Sequence, residues 1–186
     1  MATLADRPQH YFPDRAAWRA WLTQHHAQSP GIWVIYDKKV GLEPQRLTYA
    51  DLVEEALCFG WIDSLPRKLS ATRTMLLFTP RKPKSGWSKL NKTRIERLVK
   101  DGLMHSAGQT RIDAAKRNGS WTLLDEVEAL TVPDDLQAAL TAIPGATERF
   151  AALPSSTRKG ALQQISSAKR PETRARRVAD AVRLAG

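Results

Sequence analysis

The sequence predicts an α+β protein in which a small three-stranded unit is followed by an all-helical region. The short β-branched and aromatic runs that are typical of buried strands all lie before residue 80. Segments with the spacing of amphipathic helices surround these runs and continue alone toward the C-terminus. We expect an α/β unit over residues 1–103 that carries a basic loop. A helical region over residues 104–186 packs on it or forms one single domain with it.

The first helix and the first strand follow from local sequence signals. Asp14 is suited to cap a helix that carries Trp18, Trp21 and Leu22 on one face. Residues 32–36 are β-branched and aromatic, which predicts a buried strand.

The next elements complete an α-β-α-β-β order with three strands. Thr48 and Asp51 have the spacing of a capping box, and Gly60 is suited to a left-handed position after the second helix. Strands are predicted over residues 61–64 and 74–79.

The rest of the chain has the pattern of consecutive helices. A helix begins at Trp87 or Ser88 and stops at Gly102. The later helices are predicted from Ser106 to Asn118, after Pro133, in a short segment up to Leu153, after a cap at Ser155 or Ser156, and from Pro171.

Bulk composition excludes several classes of protein. The content of 42% hydrophobic and 26% charged residues is that of a folded chain. The longest apolar runs are far shorter than the roughly 20 residues that span a bilayer. The N-terminus has no apolar segment like that of a secretory signal, and Cys58 stands alone, so we expect a reducing cytoplasmic setting.

The sequence contains none of the common catalytic or metal-binding motifs that we considered. The chain has no phosphate-binding glycine loop, no dinucleotide fingerprint, no nucleophile elbow and no zinc-protease pair. His25 and His26 are adjacent and point about 100° apart on a helix, so they cannot share one metal ion. We expect no cofactor and no metal, and a binding protein more than an enzyme.

The positive charge is concentrated in two segments. The net charge is +10, and residues 64–100 carry 11 basic side chains but only 1 acidic side chain. Residues 154–186 carry 8 basic and 2 acidic side chains. If folding brings the two segments together, they attract anions; otherwise they form a basic, solvated surface.

The loop before the third helix is the best candidate for an anion-binding site. Arg81, Lys82 and Lys84 lie in a loop stiffened by prolines, directly before the predicted helix start at Ser88 and Lys89. Free amides at a helix start attract anions. Arg81 is suited to bind a carboxylate or phosphate with two hydrogen bonds, and the lysines act as point charges.

Three further residues complete the predicted wall of this site. Trp61, Trp87 and Asn91 flank the basic loop in the sequence. Trp87 either offers a face on which a base stacks or anchors the loop in the core.

Asp63 is the one carboxylate that we consider for acid–base catalysis, and the catalytic residue is otherwise unknown. It precedes the basic segment and either contacts a ligand or forms a structural ion pair with Arg67 or Arg73, or a cap. Arg67 also joins the candidate anion-binding cations.

The C-terminal segment contains a second candidate group of cations. Lys169 and Arg170 precede the helix start at Pro171, and Arg174 follows one turn later. These residues either make a second anion contact or form the solvated face of a helix.

Several runs resemble a known family. They are ALCFGWIDS at residues 56–64, FTPRKPKSGWSKLN at 78–91 and SAKRPETR at 167–174, with supporting matches at 29–33 and 47–49. The chain resembles the YdeI/OmpD-associated family, which is labelled bacteriocin-protection. The resemblance implies a role in resistance to bacteriocins or cationic antimicrobial peptides and a link to the cell envelope. It implies no known reaction.

The net charge of the protein limits the class of partner that we expect it to bind. Cationic peptides are repelled by a protein of net charge +10, so we expect an anionic small molecule or an acidic surface as the direct partner. The favoured function is a non-catalytic binding protein in antimicrobial stress resistance. The alternatives are a nucleic-acid-binding protein and an enzyme that acts on a small phosphorylated or carboxylated substrate.

Overall fold

The computed structural model describes residues 7–38 and 47–186. Within these residues the chain forms four strands and nine helices. The strands are β1 (Gln9–Tyr11), β2 (Ile32–Asp37), β3 (Trp61–Lys68) and β4 (Arg73–Pro80). The helices are α1 (Arg15–His25), α2 (Tyr49–Cys58), α3 (Lys89–Lys100), α4 (Ser106–Arg117), α5 (Asp125–Glu128), α6 (Asp134–Thr141), α7 (Ala146–Ala152), α8 (Ser155–Ser166) and α9 (Pro171–Arg183).

The α+β class is confirmed, but the predicted count of three strands was wrong. The described sheet has the strand order β1-β2-β4-β3. β2 and β3 both pair antiparallel with β4, and β1 is added parallel to β2. β1 was not predicted because its three residues are exposed and do not show the alternation of apolar and polar side chains that indicates a strand.

The two faces of the sheet have different neighbours. Trp18 of α1 and Leu52 of α2 pack on the face that carries Phe78, and all three side chains are buried in the main core. Trp33 and Leu77 belong to a separate small cluster. Because side chains alternate along a strand, this cluster lies on the face opposite to α1 and α2.

Most predicted helix starts are confirmed by their caps. Asp14 accepts a hydrogen bond from the Ala17 amide, and Thr48 forms the predicted capping box. The Ser106 cap was wrong, because the His105 ring accepts the hydrogen bond from the Ala107 amide one residue earlier. The predicted serine cap of α8 was also wrong, because Pro154 precedes that helix and no side-chain cap bond forms there.

An ion cluster fastens the N-terminal helices to each other. Arg15 of α1 bonds to Asp51, Glu54 and Glu55 of α2, and Arg97 of α3 pairs with Glu54. Burial lowers the pKa of Arg15, but the hydrogen bond and charge of Glu55, together with the charges of Glu54 and Asp51, outweigh it, so the net shift is upward.

The chain divides into two compact units, the first ending at Trp121 and the second beginning at Thr122. α4, which the sequence analysis grouped with the C-terminal helices, packs in the first unit. A Cβ added at Gly108 of α4 would lie 2.1 Å from the Cys58 carbonyl oxygen, so the two backbones are in close contact. In the second unit α5–α9 surround a core that includes Leu136 and Phe150. No helix in the described ranges is long and apolar enough to cross a membrane.

Candidate functional site

The basic loop between β4 and α3 is an ordered turn. The amide and the hydroxyl of Ser85 both donate to the Lys82 carbonyl oxygen, at 3.0 and 2.7 Å. The Pro83 carbonyl oxygen accepts from the Asn118 side chain at 2.9 Å and from the Ser120 hydroxyl at 3.2 Å. These contacts tie the loop to the chain segment after α4.

Arg81 and Trp87 brace this loop from inside. Arg81 is only 4% exposed, its guanidinium carbon lies 3.6 Å from the Trp87 ring centroid, and it donates to the Gly86 carbonyl oxygen at 2.6 Å. Burial lowers the pKa of Arg81 to about 10, against the opposing charge of Asp63. Trp87 is 2% exposed and packs on Trp121, so it anchors the loop in the core and presents no open face to a base.

Lys82 is the cation of this loop that faces a cavity. The cavity has a volume of about 570 Å³ and lies in the first unit. Two cations, Arg7 and Lys82, line it together with the hydroxyl residues Ser64, Thr79 and Ser85. We call it the Arg7–Lys82 cavity.

Arg7 is a lining residue of this cavity whose hydrogen-bond donors are not all satisfied by the described residues. Two of its nitrogens, Nε and Nη1, are buried and have no hydrogen-bond partner among the described residues. Gly31 permits this packing, because its φ is +139° and a Cβ there would lie 2.8 Å from Arg7 Nη1. A buried donor without a partner costs about 1–3 kcal/mol, and more when it is charged. Arg7 lines the cavity, so an anion bound there would remove that cost if the side chain turned these nitrogens toward it.

The remaining wall of the Arg7–Lys82 cavity is apolar. It is formed by Pro30, Ile62, Leu65, Leu77 and Pro80. The pairing of β3 with β4 is irregular just after Asp63, at the two residues before Pro66. The lining of the cavity therefore combines two cations with five apolar residues.

Asp63 lies away from this cavity. It accepts a hydrogen bond from the Tyr49 hydroxyl at 2.9 Å. Burial first, and then the charge of Asp63, raise the pKa of Tyr49 to about 12. Asp63 pairs with Phe78 across the sheet, whereas the neighbouring Thr79 lines the cavity, so the two side chains point to opposite faces.

The two arginines that we considered as partners of Asp63 have other contacts. The Arg67 guanidinium lies over the Trp33 ring at 4.6 Å. Arg73 forms an ion pair with Asp37 at 3.0 Å. Arg67 thus covers the small cluster on the second face of the sheet.

The other predicted site residues of the first unit are not among those that line the cavity. Lys84 and Lys89 are exposed. Ser88 caps α3 by accepting from the Asn91 amide, and the Asn91 side chain accepts from Arg94 at 3.2 Å. Trp61 is buried and donates to the His26 carbonyl oxygen.

The C-terminal candidates belong to the second unit. Arg174 binds Asp135 through two hydrogen bonds of 2.6 and 2.9 Å. This hydrogen bonding raises the pKa of Arg174 and lowers the pKa of Asp135. Lys169 and Arg170 are exposed before α9. That these cations meet the basic loop stays a prediction.

Sequence reasoning missed Arg7, Thr79 and Ser85 as cavity residues. Arg7 stands alone before the short strand β1, so no charge cluster or spacing marks it. The nearest signal was Gly31, which the chain uses for close approach of the Arg7 guanidinium. A turn in the sequence cannot reveal which distant side chain packs against it.

Each part of the chain matches the model of a known protein family. Residues 10–111, more than half of the chain, match the family described as a domain of unknown function (DUF8412), and the protein belongs to that family. Residues 129–186 match the family described as bacteriocin-protection, YdeI or OmpD-associated, which confirms the resemblance predicted from the sequence. No curated protein and no solved structure matches the chain.

The three sequence runs that resemble the bacteriocin-protection family do not all lie within the residues that match that family. The run at 167–174 lies within the bacteriocin-protection match, whereas the runs at 56–64 and 78–91 lie within the domain of unknown function. Most of the cavity lining falls in that domain.

Proposed function

We propose that this protein is a non-catalytic binding protein that takes a small anion into the Arg7–Lys82 cavity and acts in protection against bacteriocins or related antimicrobial stress. The observation that carries the proposal is the Arg7 side chain, which holds two buried, unpartnered nitrogens at the cavity among the described residues. The family match of residues 129–186 supports the protective role.

The composition of the cavity favours binding over catalysis. Among the described residues that line it, the polar side chains are two cations and three hydroxyls, with no carboxylate, imidazole or thiol. The hydroxyls of Ser64 and Ser85 already donate to backbone carbonyl oxygens, so the cations supply the attraction for a ligand. Such a lining supplies positive charge, but it offers no general base of suitable pKa. An enzymatic role for Asp63 would need a different pocket.

Size and charge favour a small anion as the ligand. Pockets for small molecules occupy about 300–1,000 Å³, and the Arg7–Lys82 cavity, at about 570 Å³, lies within that range. A cationic peptide would meet a protein of net charge +10. Protection by direct capture of such a peptide is therefore disfavoured electrostatically.

Two neighbouring lysines supply a matched test. Lys82 lines the cavity, whereas Lys84, two residues later in the same exposed loop, does not. We expect inorganic phosphate or acetate to raise the melting temperature of the protein, and Lys82→Gln to weaken the anion's affinity about tenfold through loss of a charge-assisted bond. Lys84→Gln should leave the affinity unchanged. Titration calorimetry measures both values.

Two results would contradict the proposal. One is the absence of binding by every anion tested, including acetate, phosphate and hexanoate. The other is an equal loss of affinity in Lys82→Gln and Lys84→Gln, which would indicate a diffuse charge effect instead of a site. In cells that depend on this protein for survival of a bacteriocin, Lys82→Gln should reduce survival and Lys84→Gln should not.

A further inference from the structure

We infer that the ligand of the Arg7–Lys82 cavity is an amphipathic organic anion, with its charged head at Arg7 and Lys82 and an apolar body against the opposite wall. This inference rests on the proposed function and specifies the chemical class that the cavity accepts.

The first argument is the mixed chemistry of the lining. Five of the ten residues that line the cavity are apolar: Pro30, Ile62, Leu65, Leu77 and Pro80. Inorganic phosphate or sulfate would pair with the cations and leave these apolar residues to water. An anion that carries a hydrocarbon body would contact both kinds of lining residue, because removing apolar surface from water is favourable.

The second argument is the path of β3. Ser64 and Leu65 are consecutive, and consecutive side chains of a regular strand point to opposite faces. Here the pairing with β4 shifts between Asp63 and Pro66, and both residues line the same cavity. A bulge of this kind redirects a side chain. It places a hydroxyl and an apolar side chain next to each other at the cavity.

The third argument is the exposure of Leu65. Leu65 is 49% exposed although it lines a cavity, so an apolar surface faces solvent in the same cavity as Arg7 and Lys82. A ligand with only a charged head would leave that surface uncovered. An apolar body would cover it.

Linear carboxylates of increasing length test this directly on the full chain. We expect the dissociation constant to fall from acetate through butanoate and hexanoate to octanoate, by roughly three- to fourfold for each methylene that becomes buried. Inorganic phosphate should bind no more tightly than acetate. Hexyl phosphate, which has the same body and a different head, reports whether the site prefers a carboxylate or a phosphate head group.

A pair of exposed leucines provides the control. Leu65→Gln should abolish most of the dependence on chain length and leave the affinity for acetate unchanged. Leu69, in the same hairpin, is 45% exposed and is not among the cavity-lining residues, so Leu69→Gln should keep the dependence. Both positions are exposed, so neither variant removes a core side chain.

The outcomes separate this inference from the proposed function. Equal affinity for all carboxylates would contradict the inference that the ligand is amphipathic, but it would remain consistent with an anion-binding site. Chain-length dependence that survives in Leu65→Gln shows that the apolar body binds elsewhere, which also overturns the inference. No binding by any anion overturns the proposed function itself.

Discussion

Arg7 in the first unit and Arg174 in the second illustrate two opposite uses of an arginine. Arg174 is half-buried and is bound by both oxygens of Asp135. Arg7 is also half-buried and lines a cavity, but its Nε and Nη1 are buried and have no partner within the described ranges. The comparison teaches that arginines of similar burial differ in whether the fold satisfies them: Asp135 satisfies Arg174, whereas two nitrogens of Arg7 have no partner among the residues that the structure describes. Because Arg7 also lines a cavity, these two features together, and not the density of positive charge along the chain, motivate the proposed ligand site.

The largest expected effect comes from removing the unsatisfied arginine. Arg7→Met should weaken hexanoate binding about 30-fold, since charge-assisted hydrogen bonds contribute about 1.5–3 kcal/mol. The same change should leave the free energy of unfolding of the ligand-free protein equal or higher, because it removes a buried charge with incomplete hydrogen bonding. Calorimetry and urea denaturation measure the two quantities.

The contradicting result for Arg7 is a clear loss of stability without a loss of affinity. That result would mean that Arg7 supports the fold and has no part in binding. Arg174→Met is the matched control for affinity, and it should bind hexanoate as the unmodified protein does.

Arg81 sharpens the comparison, because it is a buried arginine with a structural role. Its guanidinium stacks on Trp87 and donates to the Gly86 carbonyl oxygen, while its Nε has no partner in the described part of the chain. Arg81→Met should lower the free energy of unfolding by about 1–2 kcal/mol, through loss of one hydrogen bond and one cation–π contact. Urea denaturation tests this, and a variant as stable as the unmodified protein would refute the bracing role.

The smallest expected effect is on the pH dependence of the free energy of unfolding, and it arises in the second unit. The pKa of Asp135 is lowered in the folded state, chiefly by its hydrogen bond to Arg174. Its contribution to stability is therefore fully present above the unfolded pKa of about 3.9 and is lost as the pH falls through the lower folded pKa. The side chains of Arg174 and Asp135 are 38% and 41% exposed, and solvent screens an ion pair at that exposure, so about 0.5 kcal/mol is expected.

Arg174→Met should remove this part of the acid dependence. Unfolding in urea at pH 6 and at pH 3 gives the change for each protein. An identical change in both proteins would show that the pair makes no contribution.

The helices could be predicted because their signals are local. Thr48 and Asp51 form the capping box that their spacing indicates, and Ser88 caps α3 as expected. Pro171 begins α9 as predicted. In each case the deciding atoms lie within a few residues of one another, so a single sequence contains the information.

The candidate site could be predicted only in part. Lys82 was among the candidate cations, but Arg81, the expected anion-gripping residue, is turned inward onto Trp87. Arg7 reaches the cavity only because it packs against Gly31, beside Thr79 of β4. Such contacts between distant segments depend on sheet register and on close backbone approach, and neither is visible in charge or spacing.

A crystal structure of the protein grown with hexanoate would test the central claim most directly. We expect the carboxylate oxygens to lie within about 3 Å of a guanidinium nitrogen of Arg7, with Lys82 nearby and the alkyl chain against Leu65 and Leu77. A structure in which hexanoate is absent from the cavity while a carboxylate of the protein itself binds both Arg7 nitrogens would contradict the claim.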